Sequence, residues 1–391
     1  MPRDTAVLVV QADDQQRADY DALARRSYGQ PVGDIARLRP HADIRVAVRG
    51  GRVIGGGLGL RIPQYFGGRP VPGVCLAGGC IAPEERGEHL WSLLLDERLR
   101  ALKDQGAVLA TAWTASTGYG RRMGWATPAQ VFSWTVPTSE LRRGFADTGF
   151  DIVHVTVGHT NPRQRALASR WNGPWFRPDW WPAWQQDIHP DLTHYQFALP
   201  GQEPDGLLTL GFDQHPADGR RLVVHDFWAA TAKAAAAMLS FAGRHNSRIP
   251  TVMFQRTALP PAPLLQRLHR AGTATATSWH PWMLRILDAG KAVHLRGWPR
   301  ELELAVPLTL TTRAGDSSFT LHVTGGRGEL EPAPGSKPRL VLTEQQFAVW
   351  YTGGYRSAAS ALLDGVKGST DDVAQLVAAT CESEPWLPEY F

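Results

Sequence analysis

The stretch from Val74 to Trp125 constrains the fold of this 391-residue chain more than any other. Its sequence predicts a β-strand that ends before Pro83, because proline cannot donate a hydrogen bond to a sheet. Leucines recur at helical spacing from Leu90 to Leu102 and predict a helix that ends at Gly106. Residues 107–112 predict the next strand. A strand that leads through a short turn into a helix gathers unpaired backbone N–H groups at the positive end of the helix dipole. We therefore expect an anion-binding site at the start of this helix.

The order of elements in this stretch resembles the GNAT superfamily of acetyltransferases, in which the same junction holds the pyrophosphate of coenzyme A. The resemblance is carried by Ala82-Pro83, Arg86, the helix, the following strand and the segment from Tyr119 to Trp125. It implies acetyl-CoA as the acyl donor. It also implies a set of donor-binding residues, namely Cys80, Ile81, Ala82, Arg86, Gly87, Glu88, His89 and Ser116.

The helix start departs from the superfamily pattern, which is Arg or Gln, two residues, Gly, one residue, and Gly or Ala. Arg86 fits the pattern, but His89 and Trp91 stand where small residues let the backbone approach phosphate. Three carboxylates also lie here, on Glu84, Glu85 and Glu88. They suit the helix dipole but repel a polyphosphate. Two interpretations stay open at this point, a working coenzyme A loop and an ordinary helix start in a vestigial site.

Length and composition limit the class of protein. A chain of 391 residues is too long for one ordinary core and predicts two or three domains. Its sequence has no run long enough to cross a membrane and no signal-peptide pattern at its start. A net charge of +4 permits polyanionic partners without requiring them. We expect a cytoplasmic protein with no DNA or membrane partner.

The three cysteines, Cys75, Cys80 and Cys381, have neither a zinc spacing nor the pattern of a disulfide framework. Cysteines without a disulfide pattern are typical of a cytoplasmic protein, in which thiols stay reduced. No histidine completes a metal-binding spacing, so we expect no metal centre. Cys75 and Cys80 lie five residues apart on one predicted strand and are therefore expected on opposite faces of the sheet.

The rest of the chain predicts a second α/β block from Asp151 and a third from about Lys291. This three-part order resembles the Eis-like (enhanced intracellular survival) acetyltransferases, which have two GNAT domains in tandem and a C-terminal domain of sterol-carrier-protein fold. The resemblance rests on five segments, which are IAPEER-GEHLW, GYGRRMGW, WMLRILDA with LRGWP, WYTGGYRSAASAL and the ending EYF. It implies an α/β (α+β) fold with mixed central sheets. The expected domains are 1–145 and 146–290, both GNAT-like, and 291–391, sterol-carrier-protein-like.

Three local assignments bear on how these domains are built. The strand from Val131 to Val136 is expected to complete the first domain, and an alanine-rich helix is expected from Asp226 to Phe241. The segment Trp171 to Trp184 holds five tryptophans, and its Pro and Gly content argues against a long helix. We interpret it as a lid packed on its neighbour or as an interface. The family resemblance implies a homo-oligomer, a hexamer.

Acylation of an amine requires a base, since a lysine-type amine has a pKa of ~10.4 and must lose a proton to become a nucleophile. In Eis-like enzymes this base is the terminal carboxylate, which corresponds here to Phe391. The family's acid is a tyrosine before a Gly-aromatic pair, which corresponds to Tyr119. The spacing from Tyr119 to Gly124 is one residue longer than in the family, so a catalytic acid and a tyrosine packed over the helix stay alternatives.

The resemblance also assigns the acceptor site, to Tyr28, Gln30, Gly78, Trp113 and Tyr390. Gly78 replaces a family aromatic residue and Gln30-Pro31 replaces Asp-Phe, so the family's amine substrates are not carried over. The leading hypothesis is an N-acyltransferase that acts on a small-molecule amine. The alternatives are an aminoacyl-tRNA donor on the same fold, favoured by a basic stripe over the cleft, and a non-catalytic binding protein, favoured by a filled cleft. A V-shaped cleft between strands favours coenzyme A.

Overall fold

The computed structural model describes residues 6–29, 38–87, 89–146, 149–159, 161–216, 219–268 and 272–390. The strands in these ranges are β1 (Leu8–Gln11), β2 (Ala42–Arg49), β3 (Arg52–Arg61), β4 (Gln64–Phe66), β5 (Arg69–Val71), β6 (Gly73–Ile81), β7 (Leu109–Trp113), β8 (Phe132–Pro137), β9 (Asp151–Val155), β10 (Thr193–Ala198), β11 (Gly206–His215), β12 (Gly219–Ala229), β13 (Thr251–Phe254), β14 (Thr275–Ser278), β15 (Trp282–Ile286), β16 (Leu304–Thr312), β17 (Gly315–Thr324), β18 (Arg327–Pro332) and β19 (Leu340–Thr343).

The helices are α1 (Asp14–Tyr28), α2 (Leu90–Asp104), α3 (Thr117–Arg122), α4 (Thr138–Gly144), α5 (Asn161–Ala168), α6 (Trp181–Ile188), α7 (Ala232–Gly243), α8 (Ala289–Leu295), α9 (Glu344–Thr352), α10 (Ala358–Leu363) and α11 (Thr370–Ala378). Short 3-10 helices cover Arg39–His41, Pro83–Glu85, Arg244–Ser247 and Leu264–Arg267. None of the helices in the described ranges combines the length and apolarity needed to cross a membrane.

Among the described residues, three larger sheets organise the chain beside the two-stranded sheet of β4 and β5, and the first two exchange strands. The first sheet has the order β1-β2-β3-β6-β7-β15 and the second the order β14-β8-β13-β12-β11-β10-β9. Strand β8 therefore lies in the second sheet, between β13 and β14, and does not complete the first domain as expected from the sequence. The place at the edge of the first sheet is taken by β15, which pairs antiparallel with β7. Sequence order alone could not reveal this exchange, because an edge strand is defined by its partner.

The alanine-rich helix also begins later than expected. Residues 226–229 belong to β12 and pair with β11, and α7 starts at Ala232. Thr231 is the N-cap, and its side chain accepts a hydrogen bond from the backbone N–H of Ala234. A threonine cap fixes the helix start, whereas the preceding residues extend a buried strand.

The third sheet, of order β18-β17-β16-β19, packs with α9 to α11 into a C-terminal domain. Asn172, which is fully buried, joins this domain to the rest. Its amide N–H₂ donates to the carbonyl oxygens of Thr352 and Ser383, at 2.9 and 3.1 Å, and its side-chain oxygen accepts from the N–H of Gly67 at 2.8 Å. One side chain thus ties the first domain, the third domain and the C-terminal segment together.

The tryptophan-rich segment is part of the core. Trp175 and Trp181 have no exposed surface, and their rings meet edge to face at 4.7 Å. Trp180 stacks on His41 of the first domain with ring centroids 4.4 Å apart. These rings are buried within the single chain and cover one face of the first sheet, in line with a segment packed on its neighbour. The alternative of an oligomer interface stays a prediction.

Candidate active site

The two central strands of the first sheet separate at one end. β6 and β7 pair in parallel only from Gly73 to Leu76, opposite residues 109–112. Beyond Leu76, β6 continues to Ile81, whereas β7 ends at Trp113. No described strand pairs with residues 77–81 on this side, so the two strands enclose a V-shaped opening. Unpaired backbone groups in such an opening are able to hydrogen-bond an amide-containing ligand.

A β-bulge lies at the mouth of this opening. In the pairing of β3 with β6, Gly56 lies opposite Cys80 and Leu58 opposite Ala77, so β6 has one residue more than β3 between these pairs. Gly78 adopts a φ of 60°, which a glycine tolerates without strain. A bulge re-aims the side chains that follow it.

This bulge corrects the expected placement of two cysteines. The extra residue reverses the alternation of faces, so Cys75 and Cys80 lie in the same hydrophobic cluster rather than on opposite faces. The bulge also presents two backbone carbonyl oxygens to tyrosines of α1. Tyr20 donates its hydroxyl hydrogen to Gly78 at 2.6 Å, and Tyr28 donates to Gly79.

The start of α2 lies beside the opening, with Gly87 and His89 in left-handed backbone conformations at φ 96° and 58°. Nothing lies within 4 Å of the position that a Cβ on Gly87 would take, so the turn is open to solvent. His89 is the N-cap residue and makes no capping bond through its side chain. The N-terminal N–H groups of a 15-residue helix are thereby left to an anionic ligand.

Two of the three carboxylates at this helix start are neutralised by arginines. Glu84 accepts from Arg26 at 3.1 Å and lies 3.6 Å from Arg52. Glu85 accepts from Arg49 at 2.6 Å, and both of those side chains are largely buried. Their repulsion of a polyphosphate is therefore weaker than the sequence predicts. Glu88, the third carboxylate, lies outside the described residues.

The Trp91 side chain leaves the turn at Gly87 open. Its indole packs against β6 at Gly79, where a Cβ would overlap the ring. Arg86 remains beside the strand end, and its Nε donates to the carbonyl oxygen of Ile81 at 3.4 Å. Ile81 and Ala82 are buried beneath it.

Tyr119 and Ser92 join α3 to the first turn of α2. Their hydroxyl groups are hydrogen-bonded to each other, and the guanidinium of Arg122 lies 5.5 Å from the centre of the Tyr119 ring. Ser116 is the N-cap residue of α3 and its backbone N–H donates to the Thr114 hydroxyl at 3.0 Å. Ser92 was not singled out from the sequence, since nothing local predicts a contact 27 residues away.

The C-terminal segment also reaches the opening, at the end of β7. The indole N–H of Trp113 donates to the carbonyl oxygen of Glu389 at 2.8 Å, and its ring lies 5.8 Å from that of Tyr390. Burial raises the pKa of Tyr28 to about 12, and the neighbouring Tyr390 contributes to the rise. The structure thus brings together Tyr28, Gly78, Trp113 and Tyr390. Gln30 and Phe391, the remaining expected acceptor and base residues, lie outside the described residues.

The guanidinium of Arg256 packs on the Tyr390 ring. Arg256 lies 3.2 Å from the centre of that ring, and its backbone has a φ of 46°, which is rare for a residue with a Cβ. Its backbone N–H donates to the Ser133 hydroxyl at 2.8 Å. No local sequence pattern predicts this contact of Arg256.

A buried ion-pair network fixes the segment just before Tyr390. Glu389 accepts from Arg177 at 2.9 Å and from the backbone N–H of Trp175 at 3.2 Å. Arg177 also forms two hydrogen bonds with Asp226, at 2.7 and 2.6 Å. Burial alone would lower the pKa of Arg177, but the two carboxylates outweigh it and raise that pKa. A glutamate in an aromatic C-terminus was the only sequence signal for this network.

The corresponding opening in the second sheet is occupied by the chain itself. β12 and β13 pair in parallel only from Leu222 to Val224, and β12 then leads into α7 as β6 leads into α2. Trp386 packs on Trp228 of β12 with ring centroids 4.7 Å apart, and its indole donates to the carbonyl oxygen of Thr257 at 2.6 Å. Among the described residues, Trp386 does not enter the opening of the first sheet in this way; its ring packs on Trp228 of the second sheet.

In the part of the chain that the structure describes, no group of three or more His, Cys, Asp or Glu side chains is arranged to hold a metal ion. The site is instead built from backbone groups, aromatic rings and hydroxyls.

Family comparisons identify all three domains. Sequence profiles described as acetyltransferase (GNAT) domains match residues 11–127 and 173–286, and a sterol carrier protein domain profile matches residues 289–388. These matches confirm the expected fold class, tandem GNAT domains followed by a sterol-carrier-protein-like domain. No curated protein sequence matched the chain.

Solved structures share this fold over the whole chain. A GCN5-related N-acetyltransferase from Anabaena variabilis has 22% identity and a TM-score of 0.86, covering 99% of this chain and 100% of its own. One from Kribbella flavida has 22% identity and a TM-score of 0.82, covering 99% of each chain. Eis1 from Mycobacterium abscessus has 15% identity and a TM-score of 0.74, covering 99% of this chain and 100% of its own. At these identities the likeness is one of fold.

Proposed function

We propose that this tandem GNAT protein, which has the three-domain fold of the Eis-like acetyltransferases, is an N-acyltransferase. It transfers an acyl group, acetyl by default, from an acyl-CoA thioester to the amine of a small molecule. The observation that carries the proposal is the V-shaped opening between β6 and β7 beside the free N-terminus of α2. A ligand with an amide-containing arm and a pyrophosphate matches those two features together.

The donor fits the residues present. The N-terminal N–H groups of α2 and the guanidinium of Arg86 supply positive charge for the pyrophosphate. From Ala77 to Ile81, β6 has no strand partner on the β7 side, and this edge is where the pantetheine amides would lie. The carbonyl oxygens of Gly78 and Gly79 already accept from Tyr20 and Tyr28, so the remaining backbone groups serve the ligand, and Trp91 supplies an apolar wall. Glu84 and Glu85 oppose binding less than free carboxylates would, because arginines pair with them. The CoA thioester supplies an acyl carbon that an amine is able to attack.

Residues of the chain would accept one proton from the acceptor amine and donate one to the leaving thiolate. The incoming ammonium must lose a proton before attack, and the departing thiolate gains one. Tyr119, whose hydroxyl is hydrogen-bonded to Ser92, is the acid in this scheme. Glu389 is a poor base, since its carboxylate is buried in the network with Arg177. The carboxylate of Phe391 is the base we propose, because residue 391 follows Tyr390 directly and Tyr390 lies against Trp113.

Changing that carboxylate tests the base. Amidation of Phe391 removes the charge and keeps the shape, so we expect turnover to stop while coenzyme A still binds. Phe391→Leu keeps the charge and an apolar side chain and serves as the matched control, with near-normal turnover expected. Full activity in the amidated protein would rule out this carboxylate.

A binding measurement separates the donor hypotheses. Calorimetric titration with acetyl-CoA and with bulk tRNA, side by side, is expected to give saturable one-to-one binding for acetyl-CoA. Binding of tRNA alone, with a steep dependence on salt, would favour the aminoacyl-tRNA donor. Binding of neither ligand would favour the non-catalytic alternative.

We also retain a homo-oligomer, a hexamer, as part of the proposal. Its support is the family resemblance, since the tryptophan-rich segment is buried within one chain. Light scattering at micromolar concentration tests it, and a species of 43.0 kDa would contradict it.

A further inference from the structure

A second concave site lies on the far side of Trp113, between all three domains. It is a pocket of about 610 Å³, within the range of small-molecule binding sites. Its walls come from the loop before β8, the proline-rich segment 259–266, the C-terminal domain near Gly354 and the C-terminal segment 384–387. Most of its lining is aromatic, aliphatic or proline.

The pocket and the donor helix lie on opposite faces of the first sheet. Trp113 and Trp282 are directly paired across β7 and β15, so their side chains share one face, and both line the pocket. α2 packs on the other face, where Leu95, Leu99 and Ala110 belong to one hydrophobic cluster. The V-shaped opening passes between the two faces. A donor held by α2 and a second ligand held in the pocket therefore meet at the end of β7.

Trp113 and the C-terminal segment lie between the pocket and the opening. Trp113 lines the pocket and also binds the carbonyl oxygen of Glu389. Leu387 lines the pocket too, two residues before Glu389 and three before Tyr390. A ligand in the pocket therefore touches the segment that delivers Tyr390 to the candidate active site.

The outer end of the pocket is charged. Arg356 and Glu384 face each other at 3.6 Å, and their side chains are 46% and 37% exposed. An acyl chain, apolar to its end, would leave this rim unmatched. A molecule with an apolar body between two polar ends matches both the walls and the rim.

We propose that this pocket binds the acceptor, and that the acceptor is a primary amine on a bulky apolar body, either an alkyl chain or an aromatic ring system. Its amine points past Trp113 to the opening, and its far end reaches the pair of Arg356 and Glu384. This assignment rests on the proposed function, since it names the substrate class of that site.

The test uses a series of primary alkylamines from butylamine to decylamine, with acetyl-CoA as donor. Each added methylene that enters the pocket is expected to raise kcat/KM about three- to fourfold. Two variants, Ala129→Trp and Ala262→Trp, place an indole in the pocket and are expected to abolish this dependence on length. Ala314→Trp, on the exposed turn between β16 and β17, is the matched control and should keep it.

Calorimetric titration of the same amines without donor gives a readout independent of turnover. Tighter binding with chain length that both pocket variants remove supports the pocket even if no turnover occurs, in which case the proposed function alone fails. Turnover with no dependence on amine length in either assay overturns the pocket assignment and leaves the proposed function standing. A length dependence that follows the acyl group of the donor, from acetyl to octanoyl, and is lost in the pocket variants also overturns it.

Discussion

Trp113 and Glu389 are joined by a hydrogen bond of 2.8 Å from the indole N–H to the backbone carbonyl oxygen, across 276 residues of sequence. Trp113 ends the strand that borders the donor opening, and Glu389 precedes the tyrosine that faces it. This contact couples the last described residues of the C-terminal domain to the first GNAT domain.

Trp113→Phe keeps an aromatic ring and removes this hydrogen bond, which is worth about 0.5–1.5 kcal/mol. We expect amide hydrogen exchange of residues 386–390 to accelerate about 2- to 10-fold, because the segment opens more often. Trp180→Phe, a half-buried tryptophan outside the site, is the control. Equal protection of the segment in both variants would show that the contact does not hold it.

Arg86→Ala is expected to weaken binding of coenzyme A by about 1–3 kcal/mol, or roughly 5- to 150-fold in Kd, through loss of a charge-assisted hydrogen bond to phosphate. Arg100→Ala, on the exposed face of α2, removes equal charge away from the opening. Calorimetry on both variants measures the difference. An unchanged Kd in Arg86→Ala would assign phosphate binding to the helix N-terminus alone.

Tyr119→Phe removes one hydroxyl and little volume, and if Tyr119 is the acid kcat should fall by about 10²- to 10⁴-fold. In Ser92→Ala, kcat should fall less, because Ser92 acts only through the Tyr119 hydroxyl. The alkaline limb of the pH–rate profile should move in this variant. Ser92→Thr keeps a hydroxyl and should restore the profile. A normal kcat in Tyr119→Phe would leave Tyr119 as a packing residue.

The network around Arg177 predicts unequal losses of stability. Arg177→Met leaves two buried carboxylates, on Asp226 and Glu389, without their cation and should cost about 3–5 kcal/mol. Glu389→Gln keeps Arg177 paired with Asp226 and should cost less. Urea unfolding of the two variants gives the order, and the reverse order would mean that the Arg177–Asp226 pair contributes nothing.

His225 predicts a loss of stability in acid. Burial lowers its pKa from 6.5 to about 4, so the unfolded chain binds the proton first as the pH falls. The free energy of unfolding is therefore at its full value above about pH 6.5 and decreases as the pH falls toward 4, by up to about 3 kcal/mol from this residue.

His225→Asn should flatten this part of the pH profile of the urea midpoint, while the same change at the exposed His159 should not. His189 and His194, whose pKa values are also lowered by burial, contribute in the same direction. A wild-type midpoint that stays constant from pH 7 to 4.5 would contradict the prediction.

The sequence by itself determined the local elements and the domain types. The leucine spacing of α2 and the end of β6 before Pro83 depend on residues close together in the chain, so their signals survive without a fold. The family resemblance supplied the three-domain order, which the domain matches confirm. The assignment of Arg86 and Tyr119 to the site came from the same resemblance and stays a prediction.

Tertiary structure decided everything that depends on a partner far along the chain. The exchange of β8 and β15, the neutralisation of Glu84 by Arg26 and the contact of Ser92 with Tyr119 join residues that no local pattern links. The bulge at Gly78 also depends on a distant partner, because the extra residue is defined only by the pairing of β6 with β3. That extra residue moves the Cys80 side chain to the opposite face of the sheet. Hydrogen bonds and ion pairs depend on distance in space, whereas the sequence records only distance along the chain.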